Sequence, residues 1–315
     1  MIPNTHRPTQ AQIQQQAQQK WEQQAEVKEY MSAVNPPMPK IEVVAYPSSL
    51  HQIVETKIIP FNLSETLQTD YPATTPNLLA HFIHIRPDDT LKTDSQATSQ
   101  LFYVIRGSGK TQMKHGTIQW KEGDLFTLPA VPDAIHTATE DTAIYWVTDS
   151  PLLEYLGVAP VKERFEPVLY TKEKLDYELE KVRLEAEKEQ RNRTGILLSN
   201  PNFPHTMTVT HTLWSLYNVL PAGVVQKPHR HNSVALDFCV YAGPDTYTLI
   251  GKELNDDGTI KNPIKAMWES GSAFITPPGW WHSHHNESDE DAIVLPIQDA
   301  GLIMNMQVLD FDYVK

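Results

Sequence analysis

Cysteine is nearly absent from this chain: one residue in 315, Cys239. A single thiol excludes an internal disulfide and fits a reducing compartment. No run approaches the roughly 18 consecutive apolar residues of a membrane span. The opening residues also lack a basic segment leading into an apolar stretch, so a cytoplasmic protein is expected. Positive charge is short as well: 26 Lys and Arg stand against 39 Asp and Glu, a net charge of −13. That excess is spread over both halves, where it favours solubility and repels polyanions. Nucleic acid and membrane surfaces are therefore not expected partners. What remains, 40% hydrophobic and 21% charged residues, is ordinary globular composition with enough chain for about two domains.

Four regions follow from the pattern. Residues 1–40 form an N-terminal arm, rich in Gln, Ala and Glu over 9–33, which is either helical or partly disordered and is stopped by "NPPMP" at 35–39. Residues 41–160 carry short β-rich runs, among them "NLLAHFIHI", "QLFYVIRG" and "TAIYWVT", separated by turn residues. Residues 161–192 form a connecting helical linker, with Leu175, Leu179, Val182 and Ala186 along one stripe. The β pattern then returns over 193–315. "GDLFTLP" (123–129) followed by His136 parallels "GSAFITP" (271–277) followed by His282, an internal duplication with a period of about 150 residues. An all-β chain of two similar barrels joined by a helix, with an N-terminal helical arm, is the economical expectation.

The second half holds the chemistry. Gly223, His229 and His231 are followed some fifty residues later by Gly271, Pro277, Gly279, His282 and Asn286. Residues two apart on a strand share a face, so His229 and His231 point the same way, and the Pro277–Gly279 turn delivers His282 beside them. Three neutral imidazoles suit Fe(II), Mn, Ni, Cu or Zn and leave positions open for ligands.

These spacings resemble the paired motifs of the cupin superfamily, G(X)5HXH and G(X)5PXG(X)2H(X)3N, the second at every fixed position. The first lacks the glutamate often found four or five residues on; Ala235 and Leu236 stand there. The chain from about residue 75 resembles the bicupin gentisate and salicylate 1,2-dioxygenase group. "HRHNSVALDF", "GILLSNP" and "TLW" resemble its metal-bearing half, and "LFYVIRGSGKTQMKHGTIQWKEGDLFTLP" with "VTDSPLLEYLGV" resembles its other half. The order of the halves is exchanged relative to that group. The resemblance implies two cupin (double-stranded β-helix, jelly-roll) barrels and Fe(II) held by His229, His231 and His282 with O2 as co-substrate. It further implies cleavage or oxidation of a small hydroxylated or amino-substituted aromatic, and a homodimer or homotetramer. His284 matches the group's proton-relaying histidine, with a rim histidine as the plain alternative. Arg193 and Trp214 fall where the group grips a carboxylate and stacks an aromatic, a loop arginine and a core tryptophan being the alternatives. Trp281, beside His282, is taken as a further substrate contact.

Departures cluster at the substrate. Asp237 replaces an arginine that binds the substrate carboxylate, and Pro296 replaces an acid that orients the relay histidine. A like-charge contact at about 4 Å costs roughly 4 kcal/mol, which speaks against gentisate itself. Asp237 thus faces an amino or hydroxyl group of a different substrate, or acts catalytically as a metal ligand, or makes a buried hydrogen bond or salt bridge. In the first barrel the alignment puts Asp94 and Gln96 at the HXH positions and keeps His136 after a two-residue insertion, so a metal site is not expected there. A metal-dependent isomerase or lyase and a non-catalytic small-ligand binder are the alternative functions, because fold does not fix chemistry.

Overall fold

Strands covered on both faces are mostly apolar, and Leu79–Ile85 and Thr142–Thr148, apolar but for two histidines in the first and the terminal threonines of the second, bury all seven of their residues. Gly116–Lys121, with water on one side, buries Trp120 alone. The structure, a computed structural model, describes residues 9–34, 36–189 and 191–314. It divides into two units, Met1–Pro39 and Lys40–Lys315.

In the first unit a helix spans Gln10–Gln24 and a 3-10 turn spans Tyr30–Ala33. Thr9 caps the helix through a capping box: its side chain accepts from the Gln12 amide while the Gln12 side chain accepts from the Thr9 amide at 2.8 Å. The beginning of the predicted arm, residues 1–8, and Asn35 within "NPPMP" lie outside the described residues.

The second unit is built from four antiparallel sheets. A six-stranded sheet runs in the order Val168–Tyr170, Leu125–Leu128, Gln100–Arg106, Thr142–Thr148, Leu79–Ile85, Lys57–Pro60. It faces a four-stranded sheet of Thr90–Thr93, Ala134–Ala138, Ser108–Met113 and Gly116–Lys121 across a core of Ile83, Phe102, Phe126, Ala134 and Trp146. The second barrel repeats the plan. Its six-stranded sheet runs Ala45–Tyr46, Ala273–Thr276, Ala235–Tyr241, Ala292–Gln298, Trp214–Leu220, Thr194–Leu198; its five-stranded sheet runs Ile264–Met267, Thr246–Gly251, Trp281–Asn286, His229–His231, Phe311–Tyr313. The two six-stranded sheets then share a core of their own, in which Phe82, Tyr103 and Tyr145 meet Tyr217, Leu236 and Phe238. Tyr145 stacks on Phe238 with ring centroids 4.8 Å apart.

Two short strands cross the boundaries expected from sequence. Ala45–Tyr46, inside the predicted first barrel, pairs with Ala273 and Phe274 of the second and covers what would be an open sheet edge. Its Tyr46 ring stacks on Phe61 of the first half at 3.8 Å. Val168–Tyr170, inside the predicted linker, pairs with Leu125–Thr127 of the first barrel. The linker helix itself spans Lys172–Glu189, buries Leu175, Leu179 and Ala186, and packs on the edge strand Thr194–Leu198. The polar segment 251–263 is a hairpin extension, with Leu254 bridged to Ile260.

Each barrel ends its last long strand in an aspartate that opens a short helix, Asp149 before Ser150–Leu156 and Asp299 before Ala300–Asn305. Each carboxylate is buried and binds both halves. Asp149 accepts from the Thr98 and Ser99 amides at 2.8 and 3.0 Å and from the Thr212 hydroxyl at 3.0 Å. Asp299 accepts from the Val234 amide at 3.0 Å and from Asn77 at 2.7 Å.

Candidate metal centre

Register brings the histidines together. His229 lies opposite His282 on adjacent strands, and His231 keeps the face of His229 two residues on. One ring nitrogen from each of His229, His231 and His282 lies within 4.8 Å of the others, the one such cluster among the described residues. The turn before His282 is fastened to the HXH strand, since the Gly279 amide donates to the His231 carbonyl at 2.6 Å. Gly279 adopts φ +75°, and a Cβ there would meet nothing, so conformation and not space demands glycine. Asn286, the last motif position, is structural: its amide donates to the Leu220 and Glu290 carbonyls.

The hydrogen bonds assign the rings. His231 Nδ1 lies 2.9 Å from the Ser233 carbonyl, and His282 Nδ1 lies 3.0 Å from the Trp280 carbonyl. A carbonyl only accepts, so each Nδ1 carries the proton and each Nε2 keeps a lone pair for a cation. His229 differs, because its Nδ1 lies 3.1 Å from Nη2 of Arg193, which only donates. For His229 to bind through Nε2, its Nδ1 takes a proton and Arg193 turns away; the same Nη2 already contacts the Lys227 carbonyl. Burial, reinforced by neighbouring positive charge, holds His229 and His282 well below the usual histidine range, and burial holds His231 at about 4. All three are neutral at pH 7, the state a cation needs. The donor set fits a divalent transition metal.

A cavity of about 310 Å³ opens beside these rings, lined among others by Arg193, Trp214, Leu216, Asp237, His284, Pro296, Phe311 and Tyr313. Arg193 lies over the Tyr313 ring at 4.9 Å, and its buried Nε has no hydrogen-bond partner among the described residues. Trp214 is buried in the wall, its indole N–H likewise unpartnered among the described residues. Asp237 is 4% exposed and accepts from the Thr276 hydroxyl at 2.6 Å. Burial pushes its carboxyl up to about 7, with Thr276 opposing. The cluster of possible ligands does not extend to Asp237, and it forms none of the ion pairs among the described residues. The ligand and salt-bridge accounts are therefore set aside, and a buried hydrogen bond in a cavity wall is what the fold provides. The like-charge penalty against a carboxylate also shrinks, because burial favours the protonated form of this aspartate.

Trp281 is a correction. Its neighbour His282 faces the cavity, so Trp281 faces the other side of the strand, where Arg230 lies over its ring at 5.0 Å. Trp268 lines the cavity together with Trp214, and its place there was not foreseen from sequence; nor were those of Phe311 and Tyr313, or of Thr248 opposite His284. Phe311–Tyr313 pairs with His229–His231 and sets Tyr313 parallel to the His229 ring at 5.8 Å.

No protein-family model matches the chain. It is 27% identical over 163 residues to gentisate 1,2-dioxygenase 1 of Aquipseudomonas alcaligenes, covering 48% of this chain and 44% of that one. Over 114 residues it is 26% identical to 5-aminosalicylate 1,2-dioxygenase of a Comamonas species, 36% of this chain and 28% of that one. The chain thus spans less than half the length of these curated relatives. A solved structure of salicylate 1,2-dioxygenase from Pseudoaminobacter salicylatoxidans superposes with a TM-score of 0.73 at 14% identity, covering 98% of this chain and 99% of that one. The chain has the bicupin fold. The same architecture reaches as far as an oxalate decarboxylase, at a TM-score of 0.54, 16% identity, 87% of this chain and 84% of that one.

Comparing the bicupin's two barrels corrects the alignment of the first. Thr111 lies opposite His136, as Thr248 lies opposite His284. Trp120, Gly123, Pro129 and His136 follow the spacing W(X)2G(X)5P(X)6H, and Trp268, Gly271, Pro277 and His284 repeat it without insertion. His136 therefore corresponds to His284, not to His282, whose place is taken by Ala134. Thr93 lies opposite Ala134 as His229 lies opposite His282, so Thr93 and Ser95, not Asp94 and Gln96, hold the HXH positions. The first barrel retains none of the three imidazoles. Phe102 and Phe126, stacked at 4.7 Å, pack beside His136 in its interior.

Proposed function

We propose that this bicupin is a metal-dependent dioxygenase that cleaves or oxidises a small hydroxylated or amino-substituted aromatic. The observation that carries it is the convergence of three neutral imidazoles on one wall of a cavity of about 310 Å³. The similarity to gentisate and 5-aminosalicylate dioxygenases supports the same reading. Iron(II) is the favoured occupant; bound there it supplies the one-electron chemistry that lets a closed-shell ring react with O2. Mn, Ni, Cu and Zn suit the same donors, and metal analysis decides between them.

The chain's own residues do the rest. Arg193, a guanidinium at the cavity without a carboxylate partner among the described residues, attracts an anionic substituent. The Trp214 indole gives the ring an aromatic surface in the cavity wall. Asp237 accepts from an amino or hydroxyl group when ionised and donates to an oxygen when protonated. Leu216, Val294 and Pro296 present an apolar wall that excludes water from the ring.

Oxygen uptake by iron-loaded protein, measured against a panel of hydroxy- and aminobenzoates and the corresponding phenols, tests the reading. At least one compound is expected to drive uptake, and His229→Ala or His282→Ala to abolish both uptake and bound metal. Full metal occupancy with no uptake from any compound overturns it. Product formed without oxygen consumption moves the assignment to a lyase or isomerase.

A further inference from the structure

The acid that would orient a relay histidine is missing, since Pro296 stands in its place, yet His284 is not left loose. Its Nδ1 lies 2.8 Å from the Thr248 hydroxyl, which in turn accepts from the Trp268 indole N–H at 2.8 Å. Indole only donates, so it uses one of the lone pairs of Thr248. Thr248 is fully buried and has no other hydrogen-bond acceptor than His284 Nδ1 among the described residues. A buried hydroxyl proton left without an acceptor costs about 1–3 kcal/mol. The proton of Thr248 therefore points at Nδ1, which must be the unprotonated nitrogen.

We propose that Trp268 and Thr248 are positioning residues that lock His284 in one tautomer, with the proton on Nε2, so that the ring presents a fixed N–H donor to an anionic oxygen of whatever occupies the cavity. The first barrel makes the same construction independently. There Trp120 donates to Thr111 at 2.9 Å and Thr111 lies 2.8 Å from His136 Nδ1. The remaining nitrogen, His136 Nε2, meets Thr93 at 3.0 Å, and Thr93 has the Ala134 carbonyl as its own acceptor at 3.5 Å. The Nε2 proton of His136 is thus accounted for inside the protein. In the second barrel the position of Thr93 is held by His229, and His284 Nε2 has no protein partner among the described residues. The frame is shared, and only the copy beside the imidazole cluster leaves its N–H for a ligand.

The chemistry assigned to the occupant rests on the dioxygenase reading, whereas the tautomer does not. It is read by ¹⁵N NMR of histidine-labelled full-length protein, metal-free and zinc-loaded, with the His284 signals assigned by loss in His284→Gln. The wild type is expected to show Nε2 protonated and Nδ1 bare. Thr248→Ser keeps that pattern, and Thr248→Val loses the preference. In iron-loaded protein, Thr248→Val is expected to lower kcat about 10- to 100-fold with little change in KM or metal content, and Thr248→Ser to restore it. Should Thr248→Val fold poorly, Trp268→Phe reports instead through a weakened Nε2 preference. A wild-type ring protonated on Nδ1, or a tautomer that Thr248→Val leaves unchanged, overturns the proposal. A locked tautomer in a protein that consumes no oxygen overturns only the dioxygenase reading.

Discussion

Two side chains in the cavity carry opposite burdens. Asp237 is a carboxyl with no cation paired to it among the described residues, and its raised pKa marks the cost of ionising in the fold. The folded protein holds a proton there that the unfolded chain has already released between about pH 4 and pH 7. Stability from this group is complete below about pH 4 and is lost as pH rises through about 7, a change on the order of 4 kcal/mol. In the metal-free protein, Asp237→Asn is expected to raise Tm more at pH 8 than at pH 5 and least near pH 4; an equal shift at pH 8 and pH 4 counts against a buried, unpaired carboxylate. Arg193 carries the reverse case, a cation set against a metal ligand. Replacing it with Met removes a donor and a charge that compete with metal at His229. Metal affinity is expected to tighten about tenfold, while binding of an aromatic carboxylate weakens about tenfold or more. Calorimetry with zinc and with benzoate-type ligands reads both, and two changes of the same sign refute the dual role.

At the scale of strands, what could be read from sequence was what periodicity encodes. The alternating runs gave the sheets, and the fixed interval from Gly271 to Asn286 gave the turn and the placing of His282, because hydrogen-bonded register leaves no slack there. The same rule was available for Trp281, since a neighbour of an inward histidine must point outward. His136 was misplaced because motif matching sought a ligand where the fold keeps a hydrogen-bonded partner. The interval from Trp120 to His136, repeated from Trp268 to His284, carried the correct register in plain sequence. Phe311–Tyr313 was not legible: three residues have no period, and their value comes from lying beside the His229–His231 strand. Ala45–Tyr46 escaped for the same reason, its pairing being decided by an edge more than 220 residues away.

At the largest scale, the two barrels within Lys40–Lys315 are bound as one body. The six-stranded sheets pack face to face, and Asp149 and Asp299 each accept from both halves. Phe238, completely buried and stacked on Tyr145, sits in this shared layer. Phe238→Ala is expected to cost about 3–5 kcal/mol and to lower a single cooperative unfolding transition. Two separated transitions, with only one displaced, would show that the halves unfold independently.

The repeated tryptophan–threonine–histidine chain gives the protein its own yardstick. His136 shares the Nδ1 bonding of His284, while its Nε2 is closed off by Thr93, so its resonances form an internal reference within every sample. Any divergence between the two signals on titrating in zinc or an aromatic acid isolates what the open barrel alone perceives, without recourse to a second protein.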